Sequence, residues 1–373
     1  MSVRAAGVET GAGTLAVPLH PDEALLVLGA LNGQLQDRYL ERSEVRPVQV
    51  VDGRGVRPVP FFDSWGEFGV SSLASRPAAP MVLYVTTGPD LLKVDLSEGS
   101  VTELGVPKLR SVHEMTVVGD TLWLANTRFD EVVAFDLAEE RVVSRLGFTA
   151  PDSALDSEAH NALPETGETA EEVVKKFHCN QVFVGFDGEL YGLVHHVSGK
   201  QLVRRVAQKL IKNHGNGGLI SLRDGCGVSL KLKGPHTVRK VRGEYWVFDS
   251  GRYTINVYDK GWSLRRTLST TGWGRGASIS ERLDVFYAGV SEMRRRYSGA
   301  RKSRKDIPNM VLAFSMETGE PLGRTVLSGI EQVNNVYTVS REVARALLDL
   351  EPGAGPRSAS GAASSCGEEV NDI

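Results

Sequence analysis

Eight histidines occur in the 373 residues, and five of them sit in related positions. His113 and Glu114 open one short alternating segment. His178, Cys179 and Asn180 open a second, and His236 opens a third. His195 and His196 close the segment that follows His178. Imidazoles have two ring nitrogens and an ordinary pKa near 6.5, so a cluster of them can bind a transition metal or move protons at neutral pH. Further polar residues recur at the same slots: Asn126 with Arg128, Asp249 with Arg252, Arg275, Gln332 and Asn334. Arginine offers a planar, permanently charged fork that suits carboxylate or phosphate.

These residues need a repeated element to bring them together. Segments such as "LLKVDLSEGSVTEL", "VVAFDLAEERVVSRL", "INVYDKGWSLRRTL" and "VLAFSMETGEPLGRTVL" share apolar alternation broken by Asp/Gly turns. Each follows an alternating strand ("MVLYVTT", "TLWLANT", "EYWVFDS", "LDVFYAGVS"), and most have one more strand before it ("HEMTVV", "HCNQVFV", "HTVRKV", "RGASIS"). Period-two alternation with such turns marks antiparallel hairpins. Four short strands per repeat of about 40 residues is the pattern of a β-propeller. Six repeats are present. The first, starting at "ALLVLGALNGQLQ", lacks an opening strand, and a spare strand, "IEQVNNVYTV", follows the last. The predicted fold is all-β: a six-bladed β-propeller closed by pairing of the C-terminal strand with the N-terminal blade, which leaves no open edge at the seam.

The predicted organisation is a flexible N-terminus (1–20), one propeller domain (21–340), and a short helix with a disordered tail (341–373). The helix "SREVARALLDL" has Ser340 as N-cap. Insertions at 149–176, 197–218 and 292–309 fall on the upper face. The first is acidic, the second reads as a basic amphipathic helix, and the third contains the basic run from Arg294 to Lys305. That run reads as a solvated loop or as a lid over an acidic ligand. Net charge is −3, and one tyrosine (Tyr297) interrupts the basic run, which argues against nucleic acid. Three scattered cysteines give no disulfide framework. With no apolar run of membrane length and no apolar leader, the expected location is cytoplasmic, with no membrane partner.

In a propeller blade the first strand starts at the upper face and the second returns to it. His113, His178 and His236 therefore converge on the channel mouth. They are the expected ligands of a divalent metal ion (Zn, Fe or Mn), with Glu114 as ligand or base. The competing readings are histidines that merely brace the ring, or metal-free acid–base histidines. His195 and His196 are candidate acid–base residues, only one of which can face the site, because successive side chains alternate. Asn126, Arg128, Asn180, Asp249, Arg252, Arg275 and Asn334 are candidate substrate contacts; Asp249 pairing with an arginine is the alternative. Cys179 reads as a packing residue.

"LWLANTRF", His178 to Asn180, "GPH" at Gly234 to His236, "DSGR" at Asp249 to Arg252, and Arg275-Gly276 together resemble an uncharacterised family of bacterial conserved hypothetical proteins. The resemblance spans roughly residues 80–340. More distantly the chain resembles the gluconolactonase/regucalcin propellers and the streptogramin lyase group, which implies a divalent metal at the channel mouth and chemistry on lactones and related rings. The slots here favour His where the lactonase pattern has Glu, Asn and Asp. The expected function is a metal-dependent enzyme acting on a small, anionic molecule (lyase, isomerase/cyclase or lactone hydrolase). The alternatives are a non-haem metal oxygenase and a non-catalytic scaffold that binds a protein or glycan.

Overall fold

The computed structural model describes residues 9–10, 14–30, 40–65, 69–148, 177–198, 215–292, 307–351 and 357–358. The acidic insert, most of the other two inserts (199–214 and 293–306), nearly all of the C-terminal tail and most of residues 1–13 lie outside them. Residues 217–218, assigned from the sequence to the second insert, belong to the strand Gly217–Ser221.

Six sheets form the six blades, each with four antiparallel strands, and in blade two the short strand Arg357–Ser358 adds a fifth, parallel to Ser100–Glu103. Blade three is Val112–Val118, Thr121–Asn126, Glu131–Asp136 and Arg141–Gly147. Blade four is Cys179–Val184, Leu190–Val194, Gly217–Ser221 and Gly227–Leu232. Blades five and six begin at Pro235–Val241 and Trp273–Ser280. In blade one the innermost strand is the C-terminal Gln332–Ser340, paired antiparallel with Glu23–Ala30 from Gln332↔Ala30 to Ser340↔Glu23. Blade two opens with Val70–Arg76, a strand that the alignment of repeats did not include. Each innermost strand packs against the next, around to the first. The helix Arg341–Leu348 follows, capped where the Val343 amide donates to Ser340 Oγ at 3.2 Å. No helix among the described residues is long and apolar enough to cross a membrane.

Alternation explains why the strands read as near-continuous apolar runs. In Glu23–Ala30, Ala24, Leu26 and Leu28 pack against blade two, while Leu25 and Val27 pack against blade six. The same division holds around the ring: six apolar clusters lie one between each pair of neighbouring blades. A blade in the ring is buried on both faces, and each buried Val, Leu or Phe contributes about 1.5–3 kcal/mol.

The seam between blade six and the closing strand is tight. Gly276 has φ +68°, and a Cβ there would lie 2.2 Å from Asn335 Cα. Gly119, in the turn of blade three, has φ +60° with open space around it. Gly119→Ala is therefore expected to cost only the left-handed backbone penalty, about 1–2 kcal/mol. Gly276→Ala adds backbone displacement and should cost more than about 3 kcal/mol. Urea unfolding of the two variants checks this; equal losses would mean the seam is not closed as described.

Candidate functional site

Regular alternation would point every second residue of an inner strand into the channel. All six inner strands break that register at the upper end. The pairing slips between Val70 and Ser72, Val112 and Met115, Cys179 and Gln181, His236 and Val238, Gly274 and Ala277, and Val333 and Asn335. The bulged residues are Ser71, His113 with Glu114, Asn180, Thr237, Arg275 with Gly276, and Asn334. A bulge re-aims side chains and sharpens the local bend. Here six of them ring one mouth, and they carry most of its polar groups.

Four imidazoles form a closed circuit at this mouth. Ring centroids are 5.5 Å apart for His113–His178, 4.2 Å for His178–His195, 5.4 Å for His195–His236 and 6.0 Å for His236–His113. Trp273 stands edge-on to His236 at 5.5 Å. His178 has a left-handed backbone (φ +57°), held where its amide donates to Asp130 Oδ1 at 2.6 Å. His196 lies outside the circuit: it is half-buried, its ring is 6.3 Å from that of His195, and its amide donates to the Phe177 carbonyl.

Hydrogen bonds set the tautomers. Arg275, on blade six, reaches across the channel, and its Nη2 donates to His113 Nδ1 at 2.6 Å. A guanidinium has no acceptor, so Nδ1 of His113 carries the lone pair and Nε2 the proton. Ser250 Oγ donates to the Gly274 carbonyl at 2.6 Å. Its oxygen, with the Gly234 carbonyl, is then left to accept from His236 Nδ1, both at 3.0 Å. His236 is thus protonated on Nδ1, with its lone pair on Nε2. The Asn180 amide nitrogen donates to the Pro235 carbonyl at 2.6 Å and faces His195 Nε2 at 2.7 Å, which places the His195 proton on Nδ1.

The three expected metal ligands, His113, His178 and His236, meet at this mouth. Nδ1 of His113 is occupied here by the Arg275 guanidinium. Among the described residues, no three His, Cys, Asp or Glu side chains are arranged to hold a metal ion.

Other expected site residues have structural partners. Glu114 forms a buried ion pair across the channel with Arg239 at 2.5 Å and accepts from Thr237 Oγ1 at 3.1 Å. Asn126 accepts from the Arg110 amide and donates to the Lys108 carbonyl and to Glu131, holding a loop. Asp249 is fully buried and ion-paired with Arg252, and it accepts the Lys233 amide at 2.7 Å. Burial raises its pKa, while Arg252 and the amide act in the opposite direction. Asn334 braces Arg275 at 3.4 Å and donates to the Val70 carbonyl. Arg128 lies half-buried on the upper face. Cys179 packs in the cluster between blades three and four, where burial raises its thiol pKa far out of the reactive range.

Sequence reasoning passed over Thr237 and Arg239. Thr237 has φ +43°, an outlier for a β-branched residue. It is held by its bond to Glu114 and by the Gly276 amide, which donates to its Oγ1 at 3.1 Å. The available signal for Arg239 was a charged residue two positions below Thr237, on the channel side of a strand read as buried.

No family model matches the chain, and no curated protein matches it in sequence. Solved structures do resemble it. A chain of the nidogen/laminin complex covers 85% of this chain and 98% of its own length, with a TM-score of 0.54 at 10% identity. The likeness is one of fold. A protein of unknown function from Bacteroides caccae covers 85% of this chain and 99% of its own, with a TM-score of 0.50 at 9% identity. Virginiamycin B lyase from Staphylococcus aureus covers 68% of this chain and 69% of its own, with a TM-score of 0.42 at 12% identity. The structural neighbours of this propeller thus include a lyase and an uncharacterised Bacteroides protein.

The His236 pKa lies well below 6.5, first through burial, then through Arg275 and the neighbouring histidines His195 and His113. As pH falls below about 6.5, the unfolded chain takes up a proton that folded His236 refuses. Stability should be full above that pH and should decline below it, with this one group contributing up to about 1.4 kcal/mol per pH unit. His236→Asn, whose amide can replace the Nδ1 donor, is expected to show a shallower slope between pH 7 and 5 in urea unfolding. Identical slopes would contradict the burial of a neutral imidazole.

Proposed function

We propose that the channel mouth is the active site of an enzyme that binds a small anionic molecule and moves a proton on it, in lyase or isomerase chemistry. The observation that carries this reading is the Arg275–His113 bond: a buried guanidinium joined to a circuit of four imidazoles. Arg275 anchors the anionic group. His236 Nε2 is the base, kept unprotonated by burial and by the nearby charge. It takes a proton from the carbon beside the anionic group and becomes an imidazolium. His113 Nε2–H donates a hydrogen bond to the oxygen on which charge develops; a neutral imidazole can stabilise such an oxygen without giving up its proton. The His236 proton then returns to a second carbon, completing an isomerisation, or to a leaving oxygen, completing an elimination. His178 and His195 complete the circuit around the site. The metal-dependent form expected from the sequence would need His113 to exchange Arg275 for an ion.

Two measurements test this reading. Thermal unfolding with acetate, malate, citrate and inorganic phosphate should show saturable stabilisation by at least one anion, about 2.7 kcal/mol at 100 times Kd, and Arg275→Gln should abolish it. In D2O, the wild-type protein should exchange the proton beside the carboxylate of a bound acid, and His236→Asn should slow exchange about 10²–10⁴-fold while retaining binding. Stabilisation that survives Arg275→Gln, or exchange that survives His236→Asn, would refute it. One zinc, iron or manganese ion per chain, whose removal abolishes anion binding, would install the metal-centred form instead.

A further inference from the structure

Arg275 sits in a bulge that falls outside the paired register of its own sheet. Trp273–Ser280 pairs with Val285–Ser291 through Gly274↔Val290 and next through Ala277↔Ala288, so Arg275 and Gly276 are skipped. Blade five holds this bulge from the side. Ser250, in the short turn Ser250–Arg252 after the strand Glu244–Asp249, donates from Oγ to the Gly274 carbonyl at 2.6 Å. The Gly276 amide donates to Thr237 Oγ1 at 3.1 Å. These are the two peptide groups that flank the Arg275 Cα. Blade five also crowds the bulge: a Cβ on Gly274 would lie 2.3 Å from Phe248 Cδ1.

Each hydroxyl passes its bond to a second site residue, in a direction its partners force. A hydroxyl has one proton to donate and lone pairs with which to accept. The Gly274 carbonyl only accepts, so the Ser250 proton points there and the Ser250 oxygen accepts from His236 Nδ1 at 3.0 Å. The Gly276 amide only donates, so the Thr237 proton is left for Glu114 Oε2 at 3.1 Å. Two relays result. One runs from His236 through Ser250 to Gly274, the other from Gly276 through Thr237 to Glu114. Thr237 keeps its place with φ at +43°. Backbone in so unfavourable a region persists only where the surroundings over-determine it, and such residues gather at functional sites.

We infer that Ser250 and Thr237 are positioning residues: two blade-five hydroxyls that fix the backbone on either side of Arg275 and link it to the His236 ring and the Glu114 carboxylate. The inference rests on the reading of Arg275 as the anion anchor and His236 as the base. The hydroxyls act from behind the site, since Ser250 is 0% exposed and Thr237 3%. Arginine has a long, rotamer-rich side chain, so where its fork arrives depends on where its backbone starts. Loss of either relay leaves the bulge held on one side only. Ser250 bonds both the base and the Gly274–Arg275 peptide, and so sets the separation of base and anchor.

Calorimetry on the full chain with acetate, malate, citrate and inorganic phosphate, paired with NMR of the histidine ring nitrogens, tests the assignment. Thr237→Val keeps the shape of the side chain and removes the hydroxyl, whereas Thr237→Ser keeps the hydroxyl. For the anion that the wild type binds tightest, Thr237→Val and Ser250→Ala should each weaken binding at least about 10-fold, and Thr237→Ser should stay within about 3-fold of wild type. Ser250→Ala should also shift the His236 nitrogen signals, because Nδ1 loses one of its two acceptors, and Thr237→Val should leave them in place. A purely structural role would lower stability in urea without moving these readouts. Unchanged affinity in either folded variant, unmoved His236 signals in Ser250→Ala, or a Thr237→Ser as weak as Thr237→Val would overturn the inference. If Arg275→Gln still abolishes binding in that case, the anion site stands. Should Thr237→Val fail to fold, Ser250→Ala decides by its affinity and its His236 signals. Absence of binding of all four anions by the wild type would overturn the anion site and the inference together.

Discussion

A guanidinium can only donate hydrogen bonds, and that constraint organises the mouth of this propeller. Arg275 crosses from blade six to the opposite blade, where His113 Nδ1 receives its N–H at 2.6 Å. The contact places the His113 proton on Nε2 and holds a positive charge that, with burial, makes protonation of His236 unfavourable. A metal ion at this mouth would have to displace that contact to use His113 Nδ1. One polar contact therefore separates two chemistries that the same four histidines could serve.

The ring architecture makes that contact possible. Each blade is buried on both faces, so six interblade clusters hold the inner strands at fixed separations. Side chains from opposite blades can then meet reliably in the channel, as Arg275 meets His113 and Arg239 meets Glu114. The bulges do the aiming. At Thr237 an unfavourable backbone is held by hydrogen bonds to Glu114 and from Gly276, tying blades three, five and six together at one residue.

Much of this was legible in the sequence. Alternation and the Asp/Gly turns marked the repeat, and the spare strand "IEQVNNVYTV" indicated the closure, because a ring leaves one inner strand to be supplied from elsewhere. The slots of His113, His178, His195 and His236 followed from blade geometry. Partners were not legible. Glu114 beside a histidine looks like a ligand or a base until Arg239 is placed opposite it, two blades away. Asn126 and Asp249 look like mouth contacts until burial shows them holding their own loops. Alternation also gives no warning of a bulge, which decides whether Asn180 or Thr237 faces the channel. The inner strand of blade two escaped notice for a related reason: Val70–Arg76 carries small serines whose hydroxyls bond other strands, as Ser72 does with Tyr337.

The most direct measurement is of the imidazole nitrogens themselves. A long-range proton–nitrogen NMR spectrum of the histidine rings at neutral pH, assigned with single His→Gln variants, reports which nitrogen of each ring bears the proton. His113 should appear neutral with its proton on Nε2, and His236 neutral with its proton on Nδ1, and Arg275→Gln should free the His113 ring from its single tautomer. A His113 ring protonated on Nδ1, or doubly protonated, cannot accept from Arg275 and would contradict the account.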